Sequence, residues 1–202
     1  MKKYELTSNS KTLKNGIVVY QIRALCSFLT VSGKLINSQD LGGWVESEEN
    51  LTQNGLCWID DNAICHSKAS VENDAYVSGN AVISDYAIVL DSAIVQDNAI
   101  VTNHAFVFDY STIRDNAVVT SHSNIGNDAL ICDNAIVCNE TMLCGDTLVT
   151  GFSVISKRSL SNNKIHNMPN FRTFLNYLRH VLGFSRIYPI IPFDKTTQTY
   201  FH

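Results

Sequence analysis

CWIDDNAICHSKASVENDAYVSGNAVISDYAIVLDSAIVQDNAIVTNHAFVFDYSTIRDNAVVTSHSNIGNDALICDNAIVCNETMLCGDTLVTGFSVISKR, residues 57–158, divides without insertion into 17 units of six residues. The first place of every unit is small: Ala, Ser, Thr or Cys. The third is Val, Ile or Leu in all but one unit, where Cys65 stands. A fixed internal period takes precedence over local patterns in deciding a fold.

Strand geometry explains the unit. Side chains alternate across a strand, so places one and three face inward while two and four face outward. Places five and six are mostly Asp, Asn, Gly, Ser or Tyr, rich in residues that tolerate left-handed backbone or hydrogen-bond their own turn. A short strand and a tight polar corner make one side of a triangle, and three units make a coil of 18 residues. Aliphatic side chains fill the prism, and small ones sit where the chain crowds near a corner. A helical reading fails, because apolar residues at alternating places in a period of six do not match 3.6. The fold class expected is all-β, a single-stranded parallel β-helix about 27 Å long at the usual inter-strand spacing.

Just before the first unit stands DLGGWVESEENLTQNGLCWIDDNA, starting at Asp40. Repeats of the form V-x-D-N-A-x resemble the hexapeptide-transferase, or LpxA-like, left-handed β-helix superfamily. The GGW block is similar to that of YdcK-type acetyltransferase-like proteins and of many phage and prophage repeat proteins. The resemblance spans about residues 15–156 and implies left-handed winding. It also implies what such transferases do: acyl transfer from acetyl-CoA with a histidine as general base, in a groove between prisms of a trimer.

Outward from the repeat, residues 1–56 read as an N-terminal β cap. KYELT and IVVYQIRAL are strand-like runs around an Asn15-Gly16 turn signal, and a solenoid needs a cap to cover its terminal edge. The GGW block, Gly42 to Trp44, is expected to turn this cap onto the first coil, with Trp44 packed inside. Beyond 158, residues 159–202 read as a basic tail: a polar connector, then an amphipathic helix over about 169–182. Phe171, Phe174, Leu175, Leu178, Val181 and Leu182 share one face of that helix, which Gly183 ends.

The chain has 202 residues, 45% of them hydrophobic and 17% charged, which is too apolar for a disordered protein. Its net charge of −4 hides a division. Residues 57–156 hold 13 Asp and Glu against Lys68 and Arg114. Residues 157–202 hold seven Lys and Arg against Asp194. The tail is therefore expected to fold back on the acidic prism or to reach an acidic partner. An acidic prism also speaks against direct nucleic-acid binding. No apolar run reaches the length of a membrane span, and MKKYELTSNSKTLKNG has no apolar core of a secretory signal. With six cysteines and no export signal, the expected location is cytoplasmic.

Residues 18 apart should stack. One outward column is then Ile64, Val82, Ile100, Val118, Ile136 and Val154, wholly β-branched and apolar, beside uncharged His66, Ser84, Thr102, Thr120, Cys138 and Ser156. Such a stripe calls for a cover: a second copy in a dimer or trimer, the tail helix, or another protein. An ice-binding plane is disfavoured, because the ranks read Val/Ile–x–Ser/Thr and lack paired threonines. Asn62, Asn80, Asn98, Asn116 and Asn134 should form an asparagine ladder. Beside them, Asp97, Asp115 and Asp133 could hold calcium or cap their own turns; capping is the expectation, with no metal site.

His104 and His122 stack at one corner beside the apolar column and are the candidate general bases, should there be catalysis. Against catalysis, no loop leaves the 17 units to hold a cofactor or an acceptor. Cys132, Cys138 and Cys144 point outward from three different faces and cannot share one tetrahedral ion or pair with one another. Cys57 and Cys65 take inward places as small apolar residues. The expected function is a non-catalytic scaffold or protein-interaction module that self-associates and needs no cofactor. The alternative is an acyl-CoA-dependent acyltransferase of the hexapeptide class, with acetyl-CoA as cofactor.

Overall fold

In the computed structural model residues 2–167 are described, and they belong to one compact unit. The tail helix expected at 169–182, with Phe171, Phe174, Leu175, Leu178, Val181 and Leu182, lies outside the described residues.

The chain opens on an antiparallel hairpin, β1 (Tyr4–Thr12) and β2 (Val18–Ala24), around the turn at Gly16, whose φ is +88°. A second, two-residue-stranded hairpin follows: β3 (Phe28–Leu29) and β4 (Leu35–Ile36). Next comes β5 (Leu41–Val45), antiparallel to β2 on one side and parallel to the first-coil strand Ile64–Cys65 on the other. The cap thus merges into the prism: the GGW block is itself a rung of the wall. Gly42 and Gly43 lie so close to the first coil that a Cβ would come within 2.5 Å of the Trp58 ring and 2.6 Å of the Ala63 carbonyl oxygen, respectively. Trp44 points outward and is half-buried, contrary to the expected inward packing; Val45 fills the interior instead.

From there the strands stack in three parallel sheets, with six or seven parallel rungs on each face. The first face carries Ile64, the second Ser70 and the third Trp58, and each recurs every 18 residues through the uninterrupted hexads. Val89, Val107 and Ile125 lie in line on one interior wall, all fully buried. The ladder closes through backbone bonds such as Ile100 N–H to the Ala117 carbonyl, 2.9 Å.

The corners are more uniform than their composition. The fifth place of every hexad, from Asp61 to Lys157, has positive φ between 52° and 71°. Asp, Asn and Gly dominate there because they bear this conformation at least cost. At places one, hydroxyls close corners: Ser111 Oγ donates to the Phe108 carbonyl at 2.7 Å and Ser123 Oγ to that of Thr120 at 2.7 Å. That bond lets Ser and Thr replace Ala at a buried position without an orphaned hydroxyl.

The expected stop at residue 158 is not where the wall ends. Strands Ser159–Ser161 and Lys164–Asn167, read from sequence as a polar connector, add parallel rungs to the second and third faces. They pair with residues 17 and 16 positions earlier, Met142 with Ser159 and Leu148 with Lys164. The last coil is shortened, which is why the six-residue register failed to reveal it.

Candidate functional site: the columns of the prism

The first-face column forms as a continuous ladder, Ile64–Val82–Ile100–Val118–Ile136–Val154, with each pair in direct register. Trp44 heads it, opposite Ile64. Lys11 places its ammonium 4.2 Å from the Trp44 ring centre, and partial burial lowers the Lys11 pKa. The stripe is unevenly covered: Ile136 is 1% exposed and Val118 is buried, while the other four are half-buried. At its upper rung His66 is also buried; desolvation lowers its pKa against the opposing influence of Glu46 and Asp85. Its Nδ1 lies 2.9 Å from Ser67 Oγ.

The corner after this face brings His104 and His122 together as the 18-residue spacing requires. Their rings are parallel within 4°, with centres 4.4 Å apart, and Tyr86 stacks on His104 at 4.7 Å. All three side chains are exposed. Stacking occupies the ring faces and turns the edges, where the nitrogens are, outward from a convex corner. A general base needs its acceptor held against that edge.

The corner after the third face carries the asparagine ladder. Asn80, Asn98, Asn116 and Asn134 pass amide hydrogens down the column at 3.1 to 3.4 Å. The aspartates beside it cap not their own turns but the coil one level on. Asp97 Oδ2 accepts Asp115 N–H at 3.1 Å, and Asp133 accepts Gly151 N–H at 2.8 Å and the Thr150 hydroxyl. Those bonds hold the Asp133 carboxyl below its usual pKa. Among the described residues, the side chains that could gather around a cation are Asp115, Cys132 and Asp133, whose donor atoms fall within 4.8 Å of one another. Burial and the adjacent Asp133 push the Cys132 thiol pKa up. Capping accounts for these carboxylates.

Two contacts had no sequence signal, because each joins the cap to the first coil across a long stretch of chain. Lys3, 5% exposed, sets its ammonium 3.1 Å from Cys57 Sγ and against the carbonyls of Asn54 and Gly55. Cys57 therefore does more than fill space. Lys34, on the turn between β3 and β4, pairs with buried Asp60, which also accepts the Tyr76 hydroxyl at 2.7 Å. That bond raises the Lys34 pKa, and burial followed by Asp60 raises that of Tyr76. Phe28 meets Trp58 edge-on at 5.5 Å just above. None of the six cysteines is joined in a disulfide.

A corner-capped, three-sided stack of hexads with an interior of Ala, Val and Ile defines a parallel β-helix of about seven turns. The GMPPB C-terminal domain family matches residues 59–169, and the chain belongs to that family, one of hexapeptide-repeat left-handed β-helices. Among solved structures it is similar to a hexapeptide transferase family protein from Anaplasma phagocytophilum, at 14% identity and a TM-score of 0.31, over 70% of this chain and 93% of that one. No curated protein matches the chain. No helix among the described residues is long and apolar enough to cross a membrane.

Proposed function

We propose that the protein is a non-catalytic β-helical scaffold that self-associates through its first face, as a dimer or trimer. The observation that carries this reading is the in-register ladder Ile64–Val82–Ile100–Val118–Ile136–Val154, an apolar, β-branched strip on the outside of a prism. Flat strips of this kind suit burial against an identical strip, since rotational symmetry pairs a patch with its own copy. The rest of the wall supports a structural role: many of its corner Asp and Asn side chains bond from coil to coil. The excess of positive charge in residues 159–202, read from sequence, suits a further contact with an acidic surface. Six cysteines without a disulfide suit a reducing cytoplasm, and the likeness of the GGW block to phage and prophage repeat proteins agrees with a scaffold. The test is the solution mass of the full chain by sedimentation, beside that of Ile100→Asp. A multimer dissociated by this substitution supports the reading; a monomer in both cases removes it.

A second reading, acyl-CoA-dependent acyl transfer, is favoured by the stacked His104 and His122 beside that same face. A groove between two copies would supply a wall to hold the acceptor. Calorimetric titration with acetyl-CoA distinguishes the two readings: binding abolished by His104→Ala and by Ile100→Asp favours the enzyme, and no heat favours the scaffold.

A further inference from the structure

We propose that the third face is a docking surface for a lysine- or arginine-bearing amphipathic segment of another protein. The inference deepens the scaffold reading by naming the chemistry of a partner, on a face other than the one assigned to self-association.

Both edges of this face are acidic. Along the corner that leads into it run Asp74, Asp91, Asp109, Asp128 and Asp146; along the corner that leaves it run Asp97, Asp115 and Asp133. Of these eight aspartates, Asp115 is the one with an ion pair among the described residues, to Arg114 at 3.4 Å. Between the edges lies a strip of half-buried side chains in register: Ile94, Thr112, Leu130 and Leu148. The other two faces differ, because each borders the histidine corner, which carries Lys68, Lys157 and Arg158. Two rows of carboxylates beside an apolar strip reinforce one another's potential over it, and a partner with apolar and cationic groups in alternation meets both demands.

The chain itself shows this chemistry at the top of the same face. The β3–β4 hairpin seats Phe28 on Trp58 and sends Lys34 to Asp60, with Asp61 3.9 Å away. An aromatic on the apolar strip and an ammonium at the acidic edge are thus the arrangement by which the first rung is covered, leaving Trp58 fully buried. Below it the strip and the acidic edges continue for several more rungs.

The test uses the full chain and a short fluorescent peptide alternating lysine and leucine, followed by anisotropy at low and high salt. Affinity is expected to fall with salt. It is expected to drop about tenfold in Asp91→Asn/Asp109→Asn/Asp128→Asn, whose charge loss acts at one edge. Asparagine already occupies equivalent places, at Asn73, Asn127 and Asn134 among others, so the fold should be retained; circular dichroism checks this. Leu130→Ser should weaken binding about fivefold, a lost side chain on the strip. Asp85→Asn/Glu140→Gln, at the histidine corner, should leave affinity unchanged. Absence of binding, equal loss in both sets of charge variants, or equal binding of a lysine–serine peptide overturns the proposal. None of these outcomes alters the solution mass that tests self-association, so the two readings fail separately.

Discussion

Asp115 accepts the backbone N–H of Asp133, 18 residues on, through its Oδ2 at 3.1 Å. The same link joins Asp85 to Asn103, Asp91 to Asp109 and Asp109 to Asn127. Each coil is therefore capped by the corner of the coil before it, at a residue already held in left-handed backbone. Aspartate serves twice: it tolerates the positive φ, and its carboxylate reaches an amide that no strand can satisfy.

Replacing such a residue separates the two roles. Asp97→Ala removes the acceptor for Asp115 N–H and puts an unsuitable residue at φ +61°, so it should cost about 1–3 kcal/mol in urea unfolding. Asp97→Asn keeps an oxygen and the backbone tolerance and should cost less than half as much. Equal losses in the two variants would mean that charge, not the cap, is what matters.

Acid should loosen the corners in a defined window. The Asp85 carboxyl is held below its usual pKa chiefly by the Thr102 hydroxyl and Asn103 N–H, and Asp133 by the Thr150 hydroxyl and Gly151 N–H. A folded-state pKa below the unfolded one means that the stabilisation is present above about pH 4 and is lost as pH falls through the folded value. The thermal midpoint should thus decline as pH falls below about 4. In Thr102→Val/Thr150→Val the decline should be shallower; an unchanged slope would assign the acid sensitivity to other carboxylates.

The Lys34–Asp60 contact should behave as a latch on the β3–β4 hairpin. Because Asp60 raises the Lys34 pKa, the pair stabilises the fold below the ordinary lysine value and stops doing so as pH climbs through the raised one. Lys34→Met leaves a buried carboxylate held by Tyr76 without its cation, which is costlier than removing both partners. In a double-mutant cycle, Lys34→Met/Asp60→Asn should therefore be more stable than the sum of the single losses implies. Additive losses would show that the hairpin is held by Phe28 on Trp58 instead.

Glycine at position 42 should be irreplaceable for steric reasons. A Cβ there would lie 2.5 Å from Trp58, 2.6 Å from the Ile59 carbonyl oxygen and 2.8 Å from Ile22. Gly42→Ala should lower stability by about 1–3 kcal/mol through overpacking, read as a fall in the denaturation midpoint. Gly33→Ala, with no atom within 4 Å of the added carbon but a φ of +83°, tests strain alone. A Gly42→Ala loss no greater than that at position 33 would show that β5 can shift away from the coil.

Much of this was legible in the sequence because a period of six constrains each place separately. The interior line Val89–Val107–Ile125, the outward column from Ile64 to Val154, the asparagine ladder and the His104–His122 stack all follow from counting by 18. What escaped obeys no count. Lys3 meets Cys57, and Lys34 meets Asp60, across stretches whose course depends on tertiary packing. Trp44 points out because β5 joins the wall as a strand, a pairing the cap sequence does not announce. The rungs at Ser159 and Lys164 were lost when the spacing fell to 17 and 16. For the candidate sites, spacing gives which side chains are neighbours but not which of their faces remain open.

The uniform left-handed fifth place has a consequence for how such a protein can change length. Most corners are bonded to the corners 18 residues away, so removing a block of 18 rejoins equivalent positions and leaves every column intact but shorter. A loss or gain of one residue in the middle would instead turn each later side chain to the opposite side of the wall. Growth and shrinkage by whole coils is thus the permitted currency of variation, and the shortened final turn marks where that rule is relaxed, at the end of the stack with little left to misalign.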